Sequence, residues 1–148
     1  MPRFFELNPR IAFLLFFILD LLCVGMGMGV PIFCIFFGFV IGWYLARRIT
    51  LLDLSPGDSL NRILKYAVIT SLFTFGMMCA IWGRMIIMLF DPSSDYRNFG
   101  IPMILYEPKA SFIGWLVLMI FISPFLQLLT TTFSSYWTLV RWYKRNQK

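Results

Sequence analysis

Residues 11–46 read IAFLLFFILDLLCVGMGMGVPIFCIFFGFVIGWYLA, 36 positions interrupted by a single charge, Asp20. As one helix the run would extend roughly 54 Å at 1.5 Å per residue, far past the ~30 Å hydrocarbon core of a bilayer. A break is written in its middle. Gly25-Met26-Gly27-Met28-Gly29-Val30-Pro31 sets three glycines, which weaken a helix, ahead of a proline suited to the first turn of a new one. The stretch is therefore predicted to form two short membrane spans, 11–27 and 30–46, in a tight hairpin. A soluble domain could not cover both faces of such a run, so lipid must.

Working outward, Arg47 and Arg48 close the second span. Residues 51–61, with Asp53, Ser55-Pro56-Gly57 and Asp58, read as a short polar loop followed by a helix-capping acid. A third apolar run follows, interrupted only by Arg84, and the span is placed at 64–88; Asp91-Pro92-Ser93-Ser94-Asp95 ends it with turn chemistry. Residues 91–110 hold Pro92, Pro102 and Pro108 among Tyr96, Phe99 and Tyr106, too interrupted for a helix and suited to the outer membrane interface. The last span is placed at 112–140, kinked at Pro124, and runs into the basic tail Arg141-Trp142-Tyr143-Lys144-Arg145. At the other end, Arg3 and Arg10 before an apolar run resemble a signal peptide. Glu6, Asp20 and the lack of a small-x-small cleavage site instead predict a retained first span. The expected fold is all-α: one polytopic domain over 1–148, a four-helix transmembrane bundle.

The chain is 59% hydrophobic and 14% charged, against about 25% charged residues in soluble domains. Its net charge of +6 comes from short clusters beside apolar runs, not from a basic stripe, so the implied partner is a lipid bilayer and not nucleic acid. With four spans, Arg3, Arg10, Arg47, Arg48, Arg62, Lys65, Arg141, Lys144, Arg145 and Lys148 fall on one side, and only Arg97 and Lys109 on the other. The positive-inside rule makes the crowded side cytoplasmic and puts both termini there, in the cell membrane. Trp43, Trp137 and Trp142 would mark the inner belt, Trp82 and Trp115 the outer one. Histidine is absent, which removes imidazole ligands and imidazole-based triads from this chain. Cys23, Cys34 and Cys79 lie in apolar segments and suggest no disulfide framework. Phosphate-binding loops, paired catalytic carboxylates and nucleophile elbows are missing, so no cofactor or metal is expected. Met26, Met28, Met85, Met88 and Met103 would gather at the outer end, but they lack Met-x-x-x-Met spacing and read as apolar filler.

Asp20 carries the most information. It falls roughly 14 Å into the first span, near the midplane, where a charged carboxylate costs about 3 kcal/mol and should face the bundle. It is either a proton or cation site or an acid hydrogen-bonded between helices. Arg84 invites pairing with it, but lies about 30 Å up its own span and reads as an arginine reaching the outer headgroups beside Trp82. In the fourth span Ser123, Gln127, Thr130, Thr131, Ser134 and Thr138 occupy an arc of roughly 100°. Thr70, Ser71 and Thr74 offer a matching surface on the third. The stripe predicts interhelical hydrogen bonds or a water-accessible path reaching Asp20. Gly38 and Gly42 form a G-x-x-x-G packing step, within the chain or against another copy.

These features make the expected function non-enzymatic, exercised through helix packing, as a homo-oligomer or as a subunit or assembly factor of a larger membrane complex. The alternative is a small proton- or cation-coupled transporter or channel using Asp20 and the Ser/Thr/Gln path. An enzyme acting on lipid would have to use Asp20, Arg84 or the loop acids Asp91, Asp95 and Glu107, and their spacing does not favour it.

Overall fold

The computed structural model describes residues 8–25, 30–52, 54–101, 103 and 105–146. The glycine-rich break at 26–29, Asp53 and Pro102 lie outside them, as do Met26, Met28, Arg3 and Lys148. Among the described residues all regular structure is helical: α1 Pro9–Gly25, α2 Val30–Thr50, α3 Pro56–Trp82, α4 Pro108–Val117 and α5 Ser123–Asn146. A 3-10 stretch, Gly83–Phe90, prolongs α3, and a π-helical turn, Leu118–Ile122, joins α4 to α5. Three of the resulting rods, Val30–Thr50, Pro56–Phe90 and Pro108–Arg145, are long and apolar enough to cross a membrane. At 17 residues, α1 is about 26 Å long.

The third rod starts well before residue 64. Ser55 caps α3: its Oγ accepts the Asp58 amide at 3.2 Å and donates to Asp58 Oδ2 at 2.7 Å, while Pro56 occupies the first turn. Ser-Pro-Gly-Asp reads as a turn, but serine followed by proline is equally a helix start, since the missing proline N–H has no partner to lose there. Asp58 therefore sits inside the helix, and the connection from α2 shrinks to residues 51–55. At the far end α3 passes into eight residues of 3-10 helix, longer than such runs usually persist, and none of its side chains is buried. The Tyr96 hydroxyl donates to the Met88 carbonyl at 2.6 Å and ties the following loop to this stretch.

Glycine contacts give the direction of packing. Gly38 meets Gln127 and Thr130, and Gly42 meets Thr131, Ser134 and Ser135, so α2 and α5 run parallel, side by side, in the most extensive contact of the bundle. The α3 rod runs opposite to both. Among the described side chains of α1, Asp20 and Val24 are buried. It is otherwise seated by rings, Phe13, Phe16 and Phe17 around Phe73 and Phe16 stacked on Phe37 at 5.6 Å.

The core has three layers along the bundle axis. At the end where residues 91–101 lie, Val24, Val30, Cys34, Met78, Phe112, Trp115, Met119 and Ile120 form an apolar cluster, with Tyr96 and Phe99 folded onto it. Trp82 and Trp115 meet edge to face at 5.1 Å. Trp115, expected to mark a membrane belt, is 6% exposed; the loop and Phe112 cover it, leaving it no face for headgroups. At the opposite, basic end Ala46, Ile49, Ile63 and Leu139 make a smaller apolar cluster. The layer between them is polar.

Candidate functional site

The middle layer is assembled by helical periodicity. Each rod presents polar or small residues to the axis where its neighbours do the same: Gly38 and Gly42 from α2, Ser71 and Thr74 from α3, and Ser123, Gln127, Thr131, Ser134 and Ser135 from α5, all buried. Asp20 joins them from α1 at 1% exposure.

Thr74 holds Asp20. Its Oγ1 lies 2.9 Å from Asp20 Oδ1 and 3.1 Å from the Thr70 carbonyl. A hydroxyl has one proton and can also accept, so two proton arrangements fit the same heavy atoms. A carboxylate takes the Thr74 proton; a carboxylic acid donates to Thr74, which passes its own proton to the Thr70 carbonyl. Nothing has to move between the two. Arg84 lies ten residues beyond Thr74, about 15 Å along the axis, exposed in the 3-10 stretch, so the structure does not bring it to Asp20.

The stripe on α5 divides its bonds. Ser134 Oγ donates across to the Phe39 carbonyl at 2.8 Å and Ser135 Oγ to the Gly42 carbonyl at 2.9 Å. Thr130 bonds back to Leu126 and Gln127 on its own helix, and Ser123 to Leu118 at 2.8 Å. Thr70 likewise serves its own helix, at Tyr66 and Ala67, and Thr138 is half-buried a turn below. The stripe mainly faces the glycines of α2, whereas the matching surface was expected on α3. Ser71 does cross, donating to the Pro124 carbonyl at 2.7 Å. The reason is proximity: without side chains at 38 and 42, α2 comes near enough for its carbonyls to take the serine hydroxyls. A Cβ at Gly38 would strike the Thr130 hydroxyl and lie 2.8 Å from the Gln127 carbonyl oxygen. One at Gly42 would strike the Thr131 carbonyl and lie 2.9 Å from Ser134 Cβ and 3.0 Å from the Ser135 amide. The G-x-x-x-G face is thus occupied within the chain.

Pro124 has no N–H for the Ile120 carbonyl. The turn just before it is π-helical, and the Ser123 hydroxyl goes to Leu118 and not to Ile120.

Among the described residues four polar atoms of this layer are buried without a hydrogen-bond partner: Asp20 Oδ2, Gln127 Oε1, Gln127 Nε2 and Thr131 Oγ1. Gln127 is 0% exposed and its carboxamide is wholly unpaired, an arrangement that costs several kcal/mol in an apolar medium (about 2–7 per group). Thr131, one turn on, shares its face. The unpaired atoms are concentrated where the core is most polar and sealed at each end by an apolar cluster.

No family model, curated protein or solved structure matches the chain.

The remaining acids hold turns. Asp91 Oδ1 accepts the Ser93 amide and hydroxyl at 2.9 and 2.6 Å, and these bonds hold its carboxyl below the usual range. Asp95 is lowered in the same way, chiefly by Asn98. Glu107 precedes α4 without capping it. Ser135 is the residue that reading the stripe missed. It stands four positions after Thr131 and widens the polar arc to about 140° at 100° per residue, a signal present in the spacing alone. Ser111, whose hydroxyl clasps the amide and carbonyl of Leu105 at 2.8 and 3.0 Å, had no such signal.

Proposed function

We propose that this chain is a four-span protein of the cell membrane, with both termini on the cytoplasmic side, that works through helix packing, self-associated or as a subunit of a larger membrane complex. One observation carries the reading: the polar layer is closed by Phe112, Trp115 and Met119 at one end and by Ala46, Ile49, Ile63 and Leu139 at the other, and most of its hydroxyls are spent on backbone carbonyls. A conducting path needs polar surface that reaches water. Here the polar groups join helices. The span count adds α1, whose length suits a thin or locally thinned bilayer, and the orientation rests on the cations gathered at the end of α2, the start of α3 and the end of α5. Since Gly38 and Gly42 are covered from within, assembly uses other faces; α1, seated by few buried side chains, offers the widest one.

The mass of the purified chain in lipid nanodiscs tests this. A defined multiple of the 17.4 kDa chain, or a stoichiometric complex with a second membrane protein, is expected. A monomer that carries ion flux in liposomes would overturn it.

The transporter reading keeps one specific observation on its side: Asp20 Oδ2 and both polar atoms of the Gln127 carboxamide are buried without a hydrogen-bond partner. In that reading Asp20 takes and releases a proton through Thr74, and the apolar ends are gates.

A further inference from the structure

At the basic end, the start of α3 carries a surface hollow of about 410 Å³ lined by Leu54, Asp58, Asn61, Arg62 and Lys65. Apart from the half-buried Leu54, all are exposed. At about 100° per residue, Asn61, Arg62 and Lys65 share one arc of the helix, and Leu60 and Leu64 lie directly beside it. Those two leucines are 50% and 51% exposed, and Leu51 and Leu52 are exposed on the connecting turn. Cationic and amide donors thus sit next to bare hydrocarbon, at the level where a membrane-spanning α3 leaves the bilayer.

We propose that this hollow binds the phosphodiester headgroup of an anionic glycerophospholipid, with its acyl chains lying along Leu60 and Leu64. Arg62 offers a planar fork of N–H donors to the phosphate oxygens and Lys65 a compact charge beside it; Asn61 adds an amide donor. Asp58 lines the same hollow, and its Oδ2 accepts the Ser55 hydroxyl. With two cations against one carboxylate the lining keeps a net charge of +1, which selects an anionic lipid over a neutral one. General attraction of a basic surface to anionic membranes would make every cation at this end equivalent. The hollow makes Arg62 and Lys65 special. The site rests on the proposed spanning of the bilayer by α3.

The test is native mass spectrometry of the purified full chain from detergent micelles doped with equal phosphatidylglycerol and phosphatidylcholine. Retained phosphatidylglycerol should exceed phosphatidylcholine by roughly tenfold. Arg62→Gln with Lys65→Gln should abolish that preference, while Arg141→Gln with Lys144→Gln, an equal loss of charge elsewhere at the same end, should keep it. Excess inorganic phosphate should not displace the lipid. Equal loss in both double variants, no preference in the parent chain, or displacement by phosphate would each overturn the proposal. Carbonate washing of membranes keeps the two readings apart: release of the chain would sink the spanning reading, whereas retention without lipid preference would sink only the site.

Discussion

Gly42 has less freedom to accept a side chain than Gly38. The atom nearest a Cβ at 42 is the Thr131 carbonyl oxygen, part of the backbone, whereas at 38 the nearest is the Thr130 hydroxyl, which can turn aside, and the closest backbone atom, the Gln127 carbonyl oxygen, is farther off at 2.8 Å. Both Gly→Ala changes should destabilise the bundle by about 1–3 kcal/mol, the usual cost of overpacking, and Gly42→Ala should cost more. Denaturant titration in detergent checks the order, and a neutral Gly42→Ala would contradict the parallel α2–α5 seam. At Asp20, replacement by Asn keeps a hydrogen-bonding group for Thr74, so a structural Asp20 predicts normal assembly and function for Asp20→Asn. Asp20→Leu should weaken packing by about 1 kcal/mol. Normal assembly of Asp20→Asn with complete loss of a proton flux would move the protein to the transporter reading. In the loop, Asp91 and Asp95 should titrate below the ordinary 3.8, as read by carbon-13 NMR of their carboxyls. Because bonds in the folded loop lower these values, they favour the folded turn above that pH, and the benefit fades as pH falls through the lowered midpoints. Midpoints at or above 3.8 would refute the Ser93 and Asn98 contacts.

Elements show what periodicity can and cannot reveal. The apolar runs mark the three long rods, Val30–Thr50, Pro56–Phe90 and Pro108–Arg145, since a long stretch with few charges favours a helix of membrane length. Their ends are harder to place, because Ser55-Pro56-Gly57-Asp58 carries turn and helix-start chemistry at once and Arg47 and Arg48 belong to the last turn of α2. The π turn was not legible from Pro124 alone. A second sign is the step of four among Phe112, Leu116, Ile120 and Pro124, all buried. In an unbroken α-helix each such step drifts about 40°, so a wider turn is needed to keep them on one face. Pro124→Ala restores an amide that can bond to the Ile120 carbonyl. Closing the π turn would rotate α4 and separate Trp82 from Trp115, so near-ultraviolet circular dichroism should weaken. An unchanged spectrum would mean that the aromatic cluster, not the proline, fixes the turn.

For the molecule as a whole, hydropathy announces an all-helical chain with membrane-length rods, because the apolar fraction leaves few alternatives. It does not announce which helix faces which. The stripe on α5 and the glycines on α2 were both visible, but pairing them requires knowing that two rods separated by α3 in sequence are neighbours in space. Contacts between α2 and α5 such as Ser135 to Gly42 span 93 residues, and a single sequence holds no record of them. The burial of Trp115 was hidden for the same reason, since the aromatic loop that covers it reads as lying on the outer membrane interface and not on the core.

In the proposed topology four helices cross the bilayer and both ends share the cytoplasmic side, and α1 decides it. Cysteines placed singly at Asn8, Gly57, Tyr96 and Gln147, in a chain whose Cys23, Cys34 and Cys79 are replaced, can be treated in intact cells with a thiol reagent that does not cross membranes. Tyr96→Cys should react at once, and Asn8→Cys, Gly57→Cys and Gln147→Cys only after permeabilisation. Labelling of Asn8→Cys or Gln147→Cys in intact cells, with Gly57→Cys protected, would contradict the four-span account.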